Sequence, residues 1–257
     1  MNTLNKFLTA ITLPTLVLVS SAAQSVEISN GPDRLNIGLG IKVESSPFVD
    51  VGNDSIPIIA GSIKQGGFYW QGNELGYRFI ENKNFQFATI IRPFEGFDLE
   101  ADDLSEGYKG FEEREGKMEY GFSAAFNTGP VVTTITPLYN GEGMSLELDA
   151  SRKWVSDSYV FKLKGYVRYD SADYQNYYFG ITEDEMNNPL NHKINSAYKA
   201  DSGISYGVKA IASYQVSESF YVQGLLEVGK LDSSITDSDL VDSTNIFGAA
   251  IGIGYRF

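Results

Sequence analysis

Few side chains in this sequence could support catalysis, and those few lie in charged segments. The single histidine, His192, falls in a long stretch without strand periodicity. A histidine that acts as a general base needs a nucleophile or an activated water within hydrogen-bond reach, and no serine or aspartate partner can be inferred from the sequence. The paired carboxylates Asp102-Asp103 and Glu112-Glu113 belong to acidic runs, for which a solvated loop is expected. We therefore predict that His192 is a surface residue.

Composition and motifs exclude several further classes of protein. Metal-ligand spacings, a phosphate-binding loop and the GxSxG motif are missing from the sequence, which also contains no cysteine. The formal net charge of -13 argues against nucleic-acid binding, because a phosphate backbone is attracted by basic surfaces. We predict a non-enzymatic protein with no catalytic, cofactor-binding or metal-binding residues and no cofactor.

The acidic residues are concentrated in three segments, 93–116, 170–202 and 231–243. Together these segments contain 19 acidic and 4 basic residues. Such loops can be a solvated, soluble surface. They can also bind divalent cations that bridge to anionic lipopolysaccharide, because hard carboxylate oxygens suit calcium and magnesium, although no loop has EF-hand spacing.

Strict two-residue periodicity between Thr244 and Phe257 predicts a β-strand near the C-terminus. One alternate set of residues is mainly apolar, and the other is mainly glycine with one arginine. The closing strand of an outer-membrane barrel has this pattern, with lipid on one side and a crowded or wet lumen on the other. The last strand of a soluble β-sandwich also alternates, so the rest of the chain must distinguish the two folds.

The same two-face pattern recurs along the chain from Leu35 onwards. Tight turns such as Asn140-Gly141 separate some of the runs, and the three long acidic segments separate others. Short turns at one end and long loops at the other are typical of an outer-membrane barrel.

Eleven strands can be counted, and the segment from Ile56 to Phe79 is the hardest to divide. Single-chain bacterial barrels have an even number of strands. We predict an all-β fold, an antiparallel transmembrane β-barrel of the bacterial outer membrane with 10–12 strands, of which twelve is favoured. The tract from Tyr174 to Ile181 is either the missing strand or the base of a loop.

The predicted inward face of the barrel is rich in charges of both signs. Charges removed from bulk water must be paired or remain hydrated. The inner wall is therefore either a network of salt bridges or a selective ion path. Its predicted members are Lys42, Arg78, Arg92, Lys162, Lys164, Arg168, Lys209 and Arg256 with Glu44, Glu74, Glu119, Glu147, Asp149 and Glu227.

Residues 1–23 have the features of a secretory signal peptide. Lys6 precedes an apolar run from Phe7 to Val19, and Ser21-Ala22-Ala23 supplies a small-residue cleavage site. The run is shorter than the roughly 20 apolar residues that a membrane-spanning helix needs. We predict cleavage after Ala23, export to the outer membrane of a Gram-negative cell, and a single barrel domain over residues 24–257.

Several short motifs, in order and spacing, resemble the MltA-interacting protein or OmpV family of outer-membrane proteins. The resemblance spans nearly the whole chain after the predicted signal. The motifs are Ile56-Pro57-Ile58-Ile59, Gly67-Phe68-Tyr69-Trp70-Gln71-Gly72, Leu75-Gly76-Tyr77, Asn176-Tyr177-Tyr178-Phe179-Gly180-Ile181, Tyr198-Lys199-Ala200-Asp201-Ser202-Gly203 and Gly252-Ile253-Gly254-Tyr255-Arg256-Phe257.

The resemblance implies a non-enzymatic scaffold embedded in outer-membrane lipid and lipopolysaccharide. Members of the family are described as linking a lytic transglycosylase, which is a murein hydrolase, to a penicillin-binding protein in murein synthesis. We expect partners to dock on periplasmic segments, among them Gln24 to Arg34 and Ser46 to Ser55. A narrow porin-like channel and a surface adhesin acting through the long loops are the alternatives.

Overall fold

The computed structural model describes residues 35–52, 54–101 and 103–257. The predicted signal peptide, its cleavage site and the segment 24–34 lie outside the described residues. None of the helices in the described part of the chain is both long enough and apolar enough to cross a membrane.

Twelve antiparallel strands close into a barrel in which each strand pairs with its neighbours in sequence and β1 pairs with β12. The predicted barrel and its favoured strand number are confirmed. The strands are β1 (Asn36–Glu44), β2 (Asp54–Gln65), β3 (Phe68–Gln71), β4 (Glu74–Glu81), β5 (Phe85–Glu95), β6 (Lys117–Asn127), β7 (Val132–Tyr139), β8 (Met144–Val155), β9 (Tyr159–Asp170), β10 (Gly203–Gln215), β11 (Phe220–Lys230) and β12 (Asn245–Arg256).

The register carries the two-face pattern around the barrel without a break between the first and last strands. Leu39 of β1 lies opposite Ile253 of β12, and both side chains point outward, 60% and 62% exposed. Large apolar side chains exposed in this way are expected where the surrounding medium is hydrocarbon. The alternate residues face the lumen, as the periodicity predicts.

The strand that the sequence count missed lies between Ile56 and Phe79. This segment contains most of β2, the four-residue strand β3 and most of β4. The tract 174–181 is not a strand: it contains most of helix α1 (Ala172–Phe179), whose N-cap Ser171 accepts a hydrogen bond from the Tyr174 amide. Its tyrosines and phenylalanine favour strands, but packing of Tyr174 and Tyr178, four residues apart, stabilises a helix.

The three long connections lie together at the barrel end opposite the C-terminus. They also contain helix α2 (Glu183–Met186) and two 3₁₀ turns, Pro189–Asn191 and Ser233–Ile235. The expectation that Ser46 to Ser55 is a periplasmic turn is wrong. β1 begins beside the C-terminus and ends at the opposite rim, so this segment joins the long loops, with Phe48 bridged to Val241.

Candidate functional site

Ion pairs line the lumen, and one of them, between Arg92 and Glu147, joins strands that are not neighbours in the sheet. Arg92 of β5 donates from Nε to Glu74 Oε2 at 3.0 Å and from Nη1 to Glu147 Oε2 at 3.2 Å. Glu147 lies on β8, and its second oxygen accepts from Lys164 Nζ at 3.1 Å. Arg92 and Lys164 are thus each held by a carboxylate, which is the condition for burying such charges.

A second bridge ties β9 to β6. Arg168 donates to Glu119 Oε1 at 2.5 Å and to Asp170 Oδ1 at 2.8 Å, and Glu119 is fully buried. Lys209 pairs with Glu227 at 3.2 Å further round the wall. The predicted salt bridges on the inner wall are therefore confirmed, while the selective ion path stays a prediction.

The lumen also contains a small apolar cluster, which the sequence analysis missed. Ile58, Ile211 and Leu225 form a buried cluster on β2, β10 and β11, with Ala250 of β12 packed against it. In the run Ile56-Pro57-Ile58-Ile59 both faces of the strand are apolar, so periodicity cannot separate the lumenal side chains from the outward ones.

The long loops fold into a cap that has its own hydrophobic core. The sequence analysis considered a solvated loop surface and a loop surface that binds divalent cations, and neither alternative included a hydrophobic core. Its apolar side chains come from four segments that are distant in sequence, so the loops hold one another in place. The buried members are Phe48, Leu99, Leu104, Phe111, Tyr174, Tyr178, Phe179, Ile181, Ile194, Ile235 and Leu240.

One buried ion pair joins two of the cap segments. Arg114 Nη2 donates to Glu185 Oε1 at 2.6 Å, and both residues are less than a tenth exposed. The other oxygen of Glu185 accepts from the Thr182 amide at 2.9 Å and closes a capping box at the start of α2. Burial opposes ionisation, yet these hydrogen bonds and the Arg114 charge hold the pKa of Glu185 below its ordinary value.

Of the residues singled out for possible chemistry, Asp102 lies outside the described residues. His192 is exposed, as predicted, and so are Asp103 and the pair Glu112-Glu113. Within residues 35–52, 54–101 and 103–257, no group of three or more His, Cys, Asp or Glu side chains is arranged to hold a metal ion. The divalent-cation hypothesis for the acidic loops stays a prediction.

Comparison with known proteins gives similarity in sequence and in fold. A family model described as "MltA-interacting protein MipA" matches residues 37–257. The chain is 22% identical over 233 residues to a 24 kDa outer membrane protein of Pasteurella multocida, covering 86% of this chain and 90% of that protein. It is 25% identical over 188 residues to outer membrane protein OmpV of Vibrio cholerae, covering 71% of each.

Among solved structures, the translocator domain of autotransporter NalP from Neisseria meningitidis has a similar fold. The TM-score is 0.50 at 10% sequence identity, covering 90% of this chain and 91% of that one. At this identity the likeness concerns the barrel fold alone.

Proposed function

Because the chain belongs to the MltA-interacting protein family of outer-membrane β-barrels, we propose that it is a non-enzymatic membrane anchor that binds murein enzymes at its periplasmic end. The proposed partners are a lytic transglycosylase of the MltA type and a penicillin-binding protein. Holding a hydrolase and a synthase on one anchor would couple the cutting of murein to its extension.

The observation that supports this proposal most strongly is the network of ion pairs inside the barrel, together with the cap at one of its rims. Inside the lumen, Glu147 of β8 pairs with both Arg92 of β5 and Lys164 of β9, and the folded cap lies at the long-loop end of the barrel. A lumen that contains such ion pairs and has a folded cap at one end is poorly suited to the free passage of solutes. This arrangement favours a function that depends on the surfaces of the barrel over one that depends on transport through its interior.

The periplasmic end offers only a small surface for such partners. Its described connections are short, for example the turns between β4 and β5 and between β8 and β9. Stable protein interfaces usually bury about 1,600 Å² in total. We therefore propose that each enzyme binds weakly and that segment 24–34 contributes to the contact.

A binding experiment with purified components tests the proposal. The refolded barrel, reconstituted in nanodiscs, is immobilised and exposed to a purified lytic transglycosylase and a purified penicillin-binding protein, with an unrelated barrel as control. We expect micromolar, saturable binding that is lost when residues 24–34 are deleted and kept when Glu113 in the cap is changed to Lys. Equal binding to the unrelated barrel would refute the scaffold function.

Conductance separates this function from the porin-like alternative. In planar bilayers the wild-type protein is expected to give no reproducible single-channel steps, because the ion pairs in the lumen block the passage of ions. Regular, solute-selective steps would favour the channel instead. The adhesin alternative predicts that deletion of 93–116 reduces cell attachment.

A further inference from the structure

Polar lumenal side chains meet at the periplasmic mouth of the barrel, where β1 pairs with both of its neighbours. Asn36 of β1 lies opposite Arg256 of β12 and Ser62 of β2. Its side chain joins the two: Asn36 Oδ1 accepts from Arg256 Nε at 3.3 Å, and Asn36 Nδ2 donates to Ser62 Oγ at 2.9 Å. All three residues are partly exposed. The row is therefore fixed in place and accessible from the periplasm.

Arg256 gives the mouth a positive charge that the barrel does not neutralise. Among the side chains that the structure describes, Arg256 has a bond to the neutral Asn36 and no ion pair with a carboxylate. Close by, Lys64 and Arg78 share the single carboxylate of Glu81, at 2.9 Å and 3.3 Å. A partly buried guanidinium needs an anion or water to complete its hydrogen bonds. The mouth therefore attracts an anionic group.

Tyr221 places a hydroxyl beside the same guanidinium. It lies on β11 opposite Gly254 of β12, and a Cβ added at Gly254 would overlap the Tyr221 ring. The ring therefore lies across the backbone of Gly254, two residues from Arg256 on the same face of the strand. A guanidinium and a phenol are both hydrogen-bond donors to a carboxylate. We call Asn36, Ser62, Tyr221 and Arg256 the mouth site.

A small apolar cavity continues inward from the mouth site. Gly38 and Ala60 pair with each other and are the next lumenal residues on β1 and β2 after Asn36 and Ser62. The cavity has a volume of about 30 Å³, which holds one water molecule or a methyl-sized group. Its lining includes Gly38, Ala60, Tyr221, Leu225 and Ala250. A carboxylate-binding rim and a methyl-sized apolar cavity thus lie side by side.

The carboxyl-terminal alanine of a peptide has a carboxylate and a methyl group on neighbouring atoms. A slender chain end is also the only kind of partner that the mouth admits, because the interior of a twelve-stranded barrel is only modestly wider than one that side chains fill. The peptide stems of murein are slender, anionic and end in D-alanine. Their presence beside this barrel rests on the function proposed above.

We propose that the mouth site and its cavity bind the carboxyl-terminal D-alanine of a murein stem peptide. Arg256 and Tyr221 donate to the carboxylate, and the methyl group lies in the cavity against Ala60 and Leu225. The barrel then contacts murein itself as well as the enzymes that act on murein.

Calorimetric titration with a murein tetrapeptide, L-Ala-γ-D-Glu-meso-diaminopimelate-D-Ala, tests this site on the full barrel in nanodiscs. We expect saturable binding that weakens as salt is added, because salt screens accessible charges. The same peptide with a terminal carboxamide should bind about tenfold or more weakly, since it loses the charge-assisted hydrogen bonds. A peptide ending in D-leucine should also bind more weakly, because its side chain exceeds the cavity.

Two outcomes of the titration would overturn the proposal. Absent binding of the unmodified tetrapeptide, or equal binding of its carboxamide, would remove the carboxylate site. Equal binding of an all-L tetrapeptide of the same charge that ends in leucine would assign the site to protein tails instead of murein.

Substitutions place the binding at the mouth. Arg256→Gln should lower the affinity about tenfold or more, whereas Arg152→Gln, which removes an exposed charge on β8 towards the same end of the barrel, should not change it. Ala60→Leu fills the cavity and should also weaken binding, with the outward Ala212→Leu on β10 as its control. The heat-modifiable band on an unheated gel verifies that each variant folds. Wild-type affinity in Arg256→Gln would refute the site.

The titration contains no enzyme, so the two proposals can fail separately. Binding of the enzymes without binding of the stem peptide would remove the mouth site and leave the scaffold function. Binding of the stem peptide without binding of the enzymes would remove the scaffold function and leave the mouth site.

Discussion

Removal of the Glu185 carboxylate should open the cap and leave the barrel intact. In Glu185→Ala, Arg114 stays buried without its partner, and the capping box at Thr182 loses one member. Breaking a buried ion pair costs about 3–5 kcal/mol. Because every 1.4 kcal/mol is about a factor of ten, local opening of the cap should become about a hundredfold to a few thousandfold more frequent.

Hydrogen–deuterium exchange measures this opening directly. Peptides from 172–194 and 108–116 should lose protection by that factor, while peptides from β8 and β9 should keep it. Glu183→Ala is the matched control, because Glu183 lies on the same helix but is exposed. Unchanged protection of 172–194 in Glu185→Ala would refute the reasoning, since the ion pair would then contribute nothing to the fold of the cap.

The same carboxylate gives the cap a pH dependence of defined sign. The pKa of Glu185 is lower in the folded cap than in an unfolded chain, so its contribution is fully present above the ordinary glutamate value of about 4.3. The contribution is lost as pH falls through the lowered pKa. The exchange protection of residues 172–194 should not change with pH near neutrality and should fall only in acid. In Glu185→Ala this fall in acid should be smaller.

Further substitutions test the rim and the lumen. Gly96→Ala should destabilise the folded protein more than Gly129→Ala does. Both glycines have positive φ, but only at Gly96 would an added Cβ meet the Tyr178 side chain. The folded fractions of the two variants in a urea series on unheated gels give the comparison, and equal losses would contradict this reasoning. Arg92→Met should destabilise the barrel by about 3–5 kcal/mol in the same assay, because Glu147 loses a buried partner. Adding Glu147→Gln should recover part of that loss, and no recovery would show that the pair is not coupled.

The sequence predicted those parts of the structure that depend on local alternation. Leu39 and Ile253 point outward and Arg92 and Glu147 point inward because a strand has a period of two, whatever it later pairs with. The ion-pair partner of each charged side chain could not be predicted from the sequence. Arg92 and Glu147 lie on β5 and β8, which do not pair with each other, and the two side chains meet only because the sheet closes into a barrel.

The cap and the short hairpin of β3 and β4 lay beyond sequence reasoning for two physical reasons. Helix α1 depends on burial of Tyr178 against residues far along the chain, and tertiary packing of this kind overrides local strand propensity. The hairpin of β3 and β4 ends where Trp70 donates to the Gly72 carbonyl and the Gly72 amide donates to the Gly61 carbonyl. A turn signal in the sequence gives the position of a turn along the chain but not its height in the barrel.

Closure of the barrel by β1 and β12 has a kinetic consequence. Asn36 and Arg256 are hydrogen-bonded although they are 220 residues apart in the chain. Loop-closure entropy opposes such a distant contact until the intervening hairpins have formed. Folding should therefore proceed through an open sheet whose two free edges persist while the other strands assemble. Membrane insertion of this chain should be slow, and a cellular factor that shields those edges should accelerate it.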